Sequence, residues 1–301
     1  MKILLIMPPG ICHKTEIPVS GYPPLGLAYI AAVLEQEGYK VQIIDASLGG
    51  EIVNQDTETI IFGLSSKEIR QRIVKFLPDV VGISGNSTAS ISLAHEIAKI
   101  SKEVLPAVPV IFGGTHSTSV PGEILQDINV DSIVMGEGEL TFLEIVRRIE
   151  KKESFFDVEG TVTCHNGRVI HNKMRPLIKN LDGLPLPARH LLPPISEYNK
   201  NILRNDFFMR RPIIPMITSR GCSIGCCFCA YSKVFQRTWR ARSAKYVVDE
   251  MEHLVKNFGA REIHFLDDNM NLGKSRMFEI CNEIIKRKLD VKWVSVSGMY
   301  V

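Results

Sequence analysis

The stretch Val80 to His116 reads VVGISGNSTASISLAHEIAKISKEVLPAVPVIFGGTH, and it spells one complete strand–helix–strand unit. Val80–Ser84 and Val108–Gly113 are apolar on both faces, the pattern of parallel strands buried between helix layers. Between them Leu93, Ile97, Ile100 and Val104 recur at helical spacing and form one stripe. Pro106 and Pro109 punctuate the end of that helix. Working outward, the alternation continues. Ile3–Met7 and Val41–Asp45 precede the unit, Ser132–Met135 follows it, and Leu27, Ile30, Ala31 and Leu34 make a second helical stripe. Five such strand–helix units over residues 1–150 predict an α/β domain with a doubly wound parallel sheet.

Residues 151–212 change character. Thr161–Cys164 and Val169–His171 flank Asn166-Gly167, a hairpin signal. Pro176, Pro185, Pro187, Pro193 and Pro194 then crowd a stretch that cannot be a long helix or a central strand. It reads as a connector. From Ile213 the alternation resumes: strand Ile213–Thr218, a helix with Val247, Met251, Leu254, Val255 and Phe258 on one face, and strand Glu262–Leu266. A helix aligning Met277, Ile280, Cys281, Ile284 and Ile285 follows, then strand Val291–Val296. Residues 213–301 therefore predict the first part of a parallel barrel or sheet. The open parallel edge past Val296 leads to the expectation of a C-terminally truncated sequence.

The 301 residues are 45% hydrophobic and 23% charged, with a net charge of only +3 and no block of Lys or Arg. That is ordinary for a globular protein and gives no argument for nucleic acid as a partner. The apolar patch from Leu25 to Leu34 falls short of the roughly 18 residues a membrane span needs, so no span is expected. Seven cysteines, four of them within 222–229, fit a reducing cytoplasm and a metal site better than a disulfide scaffold.

That cluster reads Arg220-Gly221-Cys222-Ser223-Ile224-Gly225-Cys226-Cys227-Phe228-Cys229, at the end of a predicted strand. Three thiolates so spaced can wrap one side of an iron–sulfur cube and leave one iron without a protein ligand. Gly221 and Gly225 let the backbone turn tightly and aim amides at anionic sulfur. The rival is zinc, which wants a fourth Cys or His nearby; Cys227 is adjacent but points elsewhere if its neighbours ligate, and the nearest downstream histidine is His253, on a predicted helix. Cys12, Cys164 and Cys281 read as small packing residues.

In an open parallel sheet, ligands bind beyond the carboxyl ends of the strands. The loops there are Pro8-Pro9-Gly10, then Gly21-Tyr22-Pro23-Pro24-Leu25-Gly26, and Ser84-Gly85-Asn86-Ser87-Thr88. Gly113-Gly114-Thr115-His116 and Gly136-Glu137-Gly138-Glu139 complete the set. Glycines admit a large planar ligand, and hydroxyls and amides can bond its polar tail. Each loop alone is a weak signal, because Gly and Ser commonly end helices and strands.

Cys-x3-Cys-x-Φ-Cys, with Phe228 before the last cysteine, resembles the motif of the radical S-adenosylmethionine (SAM) enzymes. Pro-Pro-Leu-Gly-Leu, Gly-Gly-x-His and Gly-Glu-Gly-Glu resemble the Rossmann-like cobalamin (B12)-binding domain that precedes many of them. The resemblance implies a [4Fe–4S] cluster on Cys222, Cys226 and Cys229, with SAM chelating the fourth iron. Phe228 would lie near the adenine, and Asp267, Asp268 and Asn269 near the SAM amino group. It implies a corrinoid against Tyr22, Pro23, Gly26, Ser84, Gly85, Thr88, Gly113, Gly114, His116, Gly136, Glu137 and Gly138. A small-molecule substrate and an electron donor such as flavodoxin or ferredoxin come with it. The Asp-x-His-x-x-Gly signature that supplies a lower cobalt ligand elsewhere is absent: His13 lacks the Asp two residues before and the Gly three after. His116 stands open between cobalt ligand and pocket contact. Asp267–Asn269 either face the mouth of the barrel or cap the next helix, and Arg240 and Arg242 either reach a carboxylate or are solvated. The implied reaction is methyl transfer to an unactivated carbon or phosphorus. The alternatives are a cyclase or ring-rearranging enzyme, of the anaerobic magnesium-protoporphyrin ester cyclase kind, and a cobalamin-binding sensor or carrier.

Overall fold

Ile3, Leu4, Leu5 and Ile6 are all within 1% of complete burial, so this strand is covered on both faces. Burying each such side chain contributes about 1.5–3 kcal/mol, which explains why an unbroken apolar run becomes a central strand. The computed structural model of the chain describes all residues except 17–20, 55–57, 166, 202–207, 298, 300 and 301. Its contacts divide the chain into two units, Met1–Leu177 with Pro187–Pro193, and Ile178–Leu186 with Pro194–Val301.

In the first unit the elements are β1 (Lys2–Met7), β2 (Gly10–His13), α1 (Leu25–Gln36), β3 (Lys40–Asp45), β4 (Glu51–Asn54), β5 (Thr59–Gly63) and α2 (Ser66–Phe76). There follow β6 (Val80–Ser84), α3 (Ile91–Val104), β7 (Val110–Gly113), the short α4 (Thr115–Ser119) and α5 (Pro121–Ile124), β8 (Ser132–Val134) and α6 (Glu139–Glu150). Last come β9 (Thr161–His165) and β10 (Arg168–His171). The main sheet runs β10-β9-β8-β7-β6-β1-β3. Its five strands β3, β1, β6, β7 and β8 are parallel, as the alternation predicts. The chain reverses direction across the sheet between β1 and β6, which makes their carboxyl ends the switch point where such sheets bind ligands.

Two features differ from the sequence reading. The hairpin expected inside a connector is the far edge of this sheet: β9 pairs antiparallel with β8, Ser132 opposite Thr163, and β10 pairs with β9. It covers the edge of β8, which would otherwise present unpaired backbone. Of the Asn166-Gly167 turn, Asn166 lies outside the described residues, and Gly167 adopts φ +72°. A separate antiparallel sheet, β2-β5-β4, was not anticipated. Helix α2 begins with a reciprocal cap. The Ser65 hydroxyl accepts the Glu68 N–H at 3.3 Å while the Glu68 carboxylate accepts the Ser65 N–H at 2.9 Å. Ser65→Ala is expected to cost about 1 kcal/mol, measured as a lower urea midpoint with unchanged slope.

The second unit holds α7 (Ile195–Asn201), β11 (Ile213–Met216), β12 (Ser219–Arg220), α8 (Tyr231–Val234), β13 (Arg240–Ala241) and α9 (Ala244–Phe258). It continues with β14 (Glu262–Phe265), α10 (Lys274–Lys286) and β15 (Lys292–Ser295). β11, β14 and β15 form a parallel sheet. Its Ile214, Met216, Ile263 and Phe265 pack with Val247, Met251 and Leu254 of α9 and Ile280 of α10. The helical stripe on α10 is narrower than expected, since Ile285 is 73% exposed. Five residues past Ile280 is about 140° around the helix, off the buried face. The proline-rich stretch forms only single turns at Leu181–Gly183 and Arg189–Leu191.

Candidate functional site

At the carboxyl ends of β6, β7 and β8 the expected loops are tied into one surface. The Gly85 N–H donates to Gly113 O at 2.7 Å, and the Ser117 N–H donates to Gly85 O at 3.1 Å. The Thr115 N–H donates to Asn86 Oδ1 at 2.9 Å, Thr88 Oγ1 and His116 Nδ1 share a 3.0 Å hydrogen bond, and the Gly136 N–H donates to Thr118 Oγ1 at 3.1 Å. So Ser84, Gly85, Thr88, Gly113, Gly114, His116 and Gly136 share one rim; Glu137 and Gly138 continue it into α6, both half-buried. Tyr22 and Pro23 lead into α1, Pro23 buried and Tyr22 half-buried, with Gly26 exposed in its first turn.

The glycines of this rim divide into two kinds. A Cβ on Gly85 would stand 2.1 Å from Ser117 Oγ, and one on Gly138 would stand 2.8 Å from Ile30 Cδ1. On Gly114, at φ +112°, it would stand 2.5 Å from Asn86 Oδ1. Those three glycines are needed by the loops themselves. Around Gly26 a Cβ would meet nothing within 4 Å. Here the missing side chain leaves open surface, which is what a broad planar ligand requires.

In the second unit, β12 and β13 close the base of the cysteine loop through the antiparallel pairs Ser219–Ala241 and Arg220–Arg240. Gly221 leaves the ladder at φ +78°, where a Cβ would lie 2.2 Å from Thr238 O. Cys226 is exposed, Cys222 and Cys229 are half-buried, and Phe228 is 87% exposed. The Cys229 N–H donates to Cys226 O at 3.1 Å. Among the described residues no three His, Cys, Asp or Glu side chains stand close enough together to hold a metal ion. The loop thus carries four cysteine sulfurs, two exposed and two half-buried and of the right chemistry for iron, without gathering three of them around a point.

Asp267, Asp268 and Asn269 follow β14. Asp267 is fully buried. Its Oδ1 accepts the Thr218 N–H at 2.7 Å, and its Oδ2 accepts the Thr218 and Ser219 hydroxyls at 2.6 and 2.5 Å. Asp268 Oδ2 accepts the Gly221 N–H at 2.9 Å. Burial pushes both carboxyls up from the usual range, and for Asp268 the neighbouring Asp267 adds to it. Asn269 is buried, and its Oδ1 is without a hydrogen-bond partner among the described residues. None of the three caps the next helix. The residue preceding α10 is Gly273, and no side chain caps it.

Arg240 is half-buried and Arg242 is buried, so neither is simply solvated. Arg240 donates to Ile178 O at 2.7 Å, and Arg242 donates to Leu184 O at 3.4 Å with its guanidinium 4.1 Å from the Tyr246 ring centre. Sequence reasoning missed Thr218, Ser219, Trp239 and Arg276. Arg276 donates through Nε to Arg242 O at 2.7 Å and through Nη2 to Thr218 O at 3.0 Å. Burial lowers its basicity.

Residues 19–146 match the family model of the B12 binding domain. Over 298 residues the chain is 35% identical to an uncharacterized methyltransferase of Pyrococcus horikoshii, covering 99% of this chain and 60% of that protein. Over 322 residues it is 30% identical to the cytidylyl-2-hydroxyethylphosphonate methyltransferase of Streptomyces wedmorensis, with coverage of 99% and 60%. It is 31% identical over 299 residues to the anaerobic magnesium-protoporphyrin IX monomethyl ester cyclase of Rubrivivax gelatinosus, covering 97% of this chain and 50% of that one. The chain therefore spans between 50% and 60% of the length of these curated relatives. It shares its fold with the cobalamin-dependent SAM radical enzyme OxsB, solved with aqua-cobalamin and SAM bound. The TM-score is 0.75 at 21% identity, over 97% of this chain and 38% of that one. Among the described residues no helix is long and apolar enough to cross a membrane.

Proposed function

We propose, from a chain that carries a B12-binding domain and belongs to the cobalamin-dependent radical SAM enzymes, that it cleaves SAM reductively and transfers a methyl group to an unactivated carbon or phosphorus. When bound, a [4Fe–4S] cluster supplies the electron that splits SAM to a 5′-deoxyadenosyl radical, and cobalamin carries the methyl group. Cys222, Cys226 and Cys229 would hold three irons, and the turns at Gly221 and Gly225 let the loop close on them. Phe228, exposed beside Cys229, offers an aromatic face for adenine. Asn269 offers its unpartnered Oδ1 as acceptor for the SAM ammonium. The rim of the first unit, from Gly26 across Thr88 and Gly114 to Glu137, would carry the corrinoid. His116, its Nδ1 tied to Thr88, would be a contact in that pocket. A small-molecule substrate and a flavodoxin- or ferredoxin-type donor in a reducing cytoplasm complete the reading.

The observation that carries it is the coexistence, in one chain, of a three-cysteine loop at the carboxyl end of a parallel strand and the open, glycine-lined rim of a B12-binding domain. Cyclisation is kept as a second reading, because the cyclase of Rubrivivax gelatinosus is 31% identical to this chain, against 30% for the Streptomyces wedmorensis methyltransferase. A sensor or carrier would tolerate loss of cluster ligands, and here all three cysteines are present.

The test is anaerobic reconstitution with iron, sulfide, hydroxocobalamin, SAM and a reductant. Deoxyadenosine together with S-adenosylhomocysteine is expected for a methyltransferase; deoxyadenosine alone turns the reading to the cyclase type. A chain that takes up no corrinoid and forms neither product refutes it.

A further inference from the structure

The turn after β14 is wired to both ends of the cysteine loop. At the loop's entry, Asp267 takes three hydrogen bonds from Thr218 and Ser219, and Asp268 takes the N–H of Gly221, the residue immediately before Cys222. At its exit, the Trp239 indole N–H donates to Asn269 O at 2.9 Å. Ser219 Oγ also lies 3.4 Å from that same carbonyl. Arg276 reaches in from α10, joining Thr218 O to Arg242 O and placing its guanidinium 5.9 Å from the Trp239 ring centre.

We infer that Asp267 is a positioning residue, which with Asp268 and Arg276 clamps residues 218–221 and so fixes where the cysteine loop leaves the sheet. This rests on the assignment of a cluster to that loop. A buried carboxylate is costly unless its oxygens are bonded and a countercharge is near. All of that is supplied here by the loop's own stem and by Arg276. Asp267 is fully buried with both oxygens engaged by the stem, so it presents no surface to a ligand, and it lies too far before α10 to cap it. The remaining role is mechanical. It makes the direction of Gly221–Cys222 independent of whatever the exposed part of the loop is doing, so that three thiolates need only close, not search.

The experiment measures amide hydrogen exchange in the full metal-free chain and, in parallel, iron content and visible absorbance after anaerobic loading with iron and sulfide. Wild type is compared with Asp267→Ala, Asp267→Asn and Thr218→Val. Losing three buried hydrogen bonds should speed exchange over 218–222 at least roughly tenfold in Asp267→Ala, with α9 and β14 unchanged. Its bound iron should fall to a minor fraction of wild type. Asp267→Asn, which keeps an acceptor for the Thr218 N–H, should recover part of both. Thr218→Val removes one donor without touching the charge, and it carries the test if Asp267→Ala does not fold. Wild-type exchange and full iron loading in Asp267→Ala, with weakened SAM binding alone, would overturn the inference and make Asp267 a SAM ligand. Faster exchange throughout 213–296 would reduce it to an ordinary core residue. A wild-type chain that binds no iron would instead refute the cluster assignment, an outcome told apart because the exchange result stands without metal.

Discussion

Cys226→Ala loses the visible absorbance of the iron–sulfur chromophore and forms deoxyadenosine only at background level, whereas Cys227→Ala and Cys281→Ala retain both. The two adjacent thiols are the informative pair. Cys226 and Cys227 are both exposed, so accessibility does not distinguish them, and a reagent that merely counts reactive thiols would score them alike. What separates them is spacing. With Cys222 and Cys229 as the outer donors, a ligand at 226 leaves three intervening residues on one side and two on the other, the intervals that wrap one side of a cube. Removing that middle donor uncovers a second iron, and an incompletely held cluster is lost or rearranged. Cys281 lies on α10, half-buried and outside the loop, and its replacement by Ala should cost packing only. Iron per chain and deoxyadenosine yield measured on the same preparations decide it. Equal loss in Cys226→Ala and Cys227→Ala would mean that the loop binds metal in another register.

The parts of this fold that were readable in the sequence are those set by local pattern. Ile3–Ile6 and Val80–Ser84 are apolar on both faces, and only a covered parallel strand satisfies such a run. The stripe Leu93, Ile97 and Ile100 fixes a helix and its buried side. Pairing across distance is not local, and there the reading stopped short. Thr161–Cys164 and Val169–His171 announce a hairpin, but nothing in them says that β9 will lie against Ser132–Val134. The β2-β5-β4 sheet joins Gly10–His13 to Thr59–Gly63, and that strand to Glu51–Asn54, and its residues show no clean alternation. At the candidate sites the same division holds. The cysteines, Gly221 and the rim loops are contiguous motifs. The role of Asp267 depends on Thr218, Ser219 and Arg276, which no motif joins to it. Arg240 and Arg242 cannot be placed from sequence because they reach the carbonyls of Ile178 and Leu184, in a stretch whose main sequence signal is proline.

Gly26→Trp weakens hydroxocobalamin binding by at least about tenfold, or roughly 1.4 kcal/mol, while leaving the urea midpoint of the chain unchanged or slightly raised. Most substitutions that damage a ligand site also damage the fold, and Gly26 separates the two. It sits in the first turn of α1, exposed, in a conformation any residue adopts, and a Cβ there meets no atom within 4 Å. A larger residue costs nothing in packing and recovers the conformational entropy that glycine gives up in a helix, about 0.5–1 kcal/mol for Ala. An indole at that point would stand over the rim where the corrinoid is proposed to lie. Gly85→Val is the contrasting case. Its Cβ would stand 2.1 Å from Ser117 Oγ, and Ser117 is bonded to Gly85 O through both its N–H and its hydroxyl. Overpacking of that kind costs about 1–3 kcal/mol, so Gly85→Val should lower stability and corrinoid affinity together. Titrations of the two variants should both show weaker binding, while the paired denaturation curves separate them, unchanged or raised for Gly26→Trp and lowered for Gly85→Val. Undiminished affinity in Gly26→Trp would move the corrinoid away from the start of α1, even with the B12-binding domain itself in place.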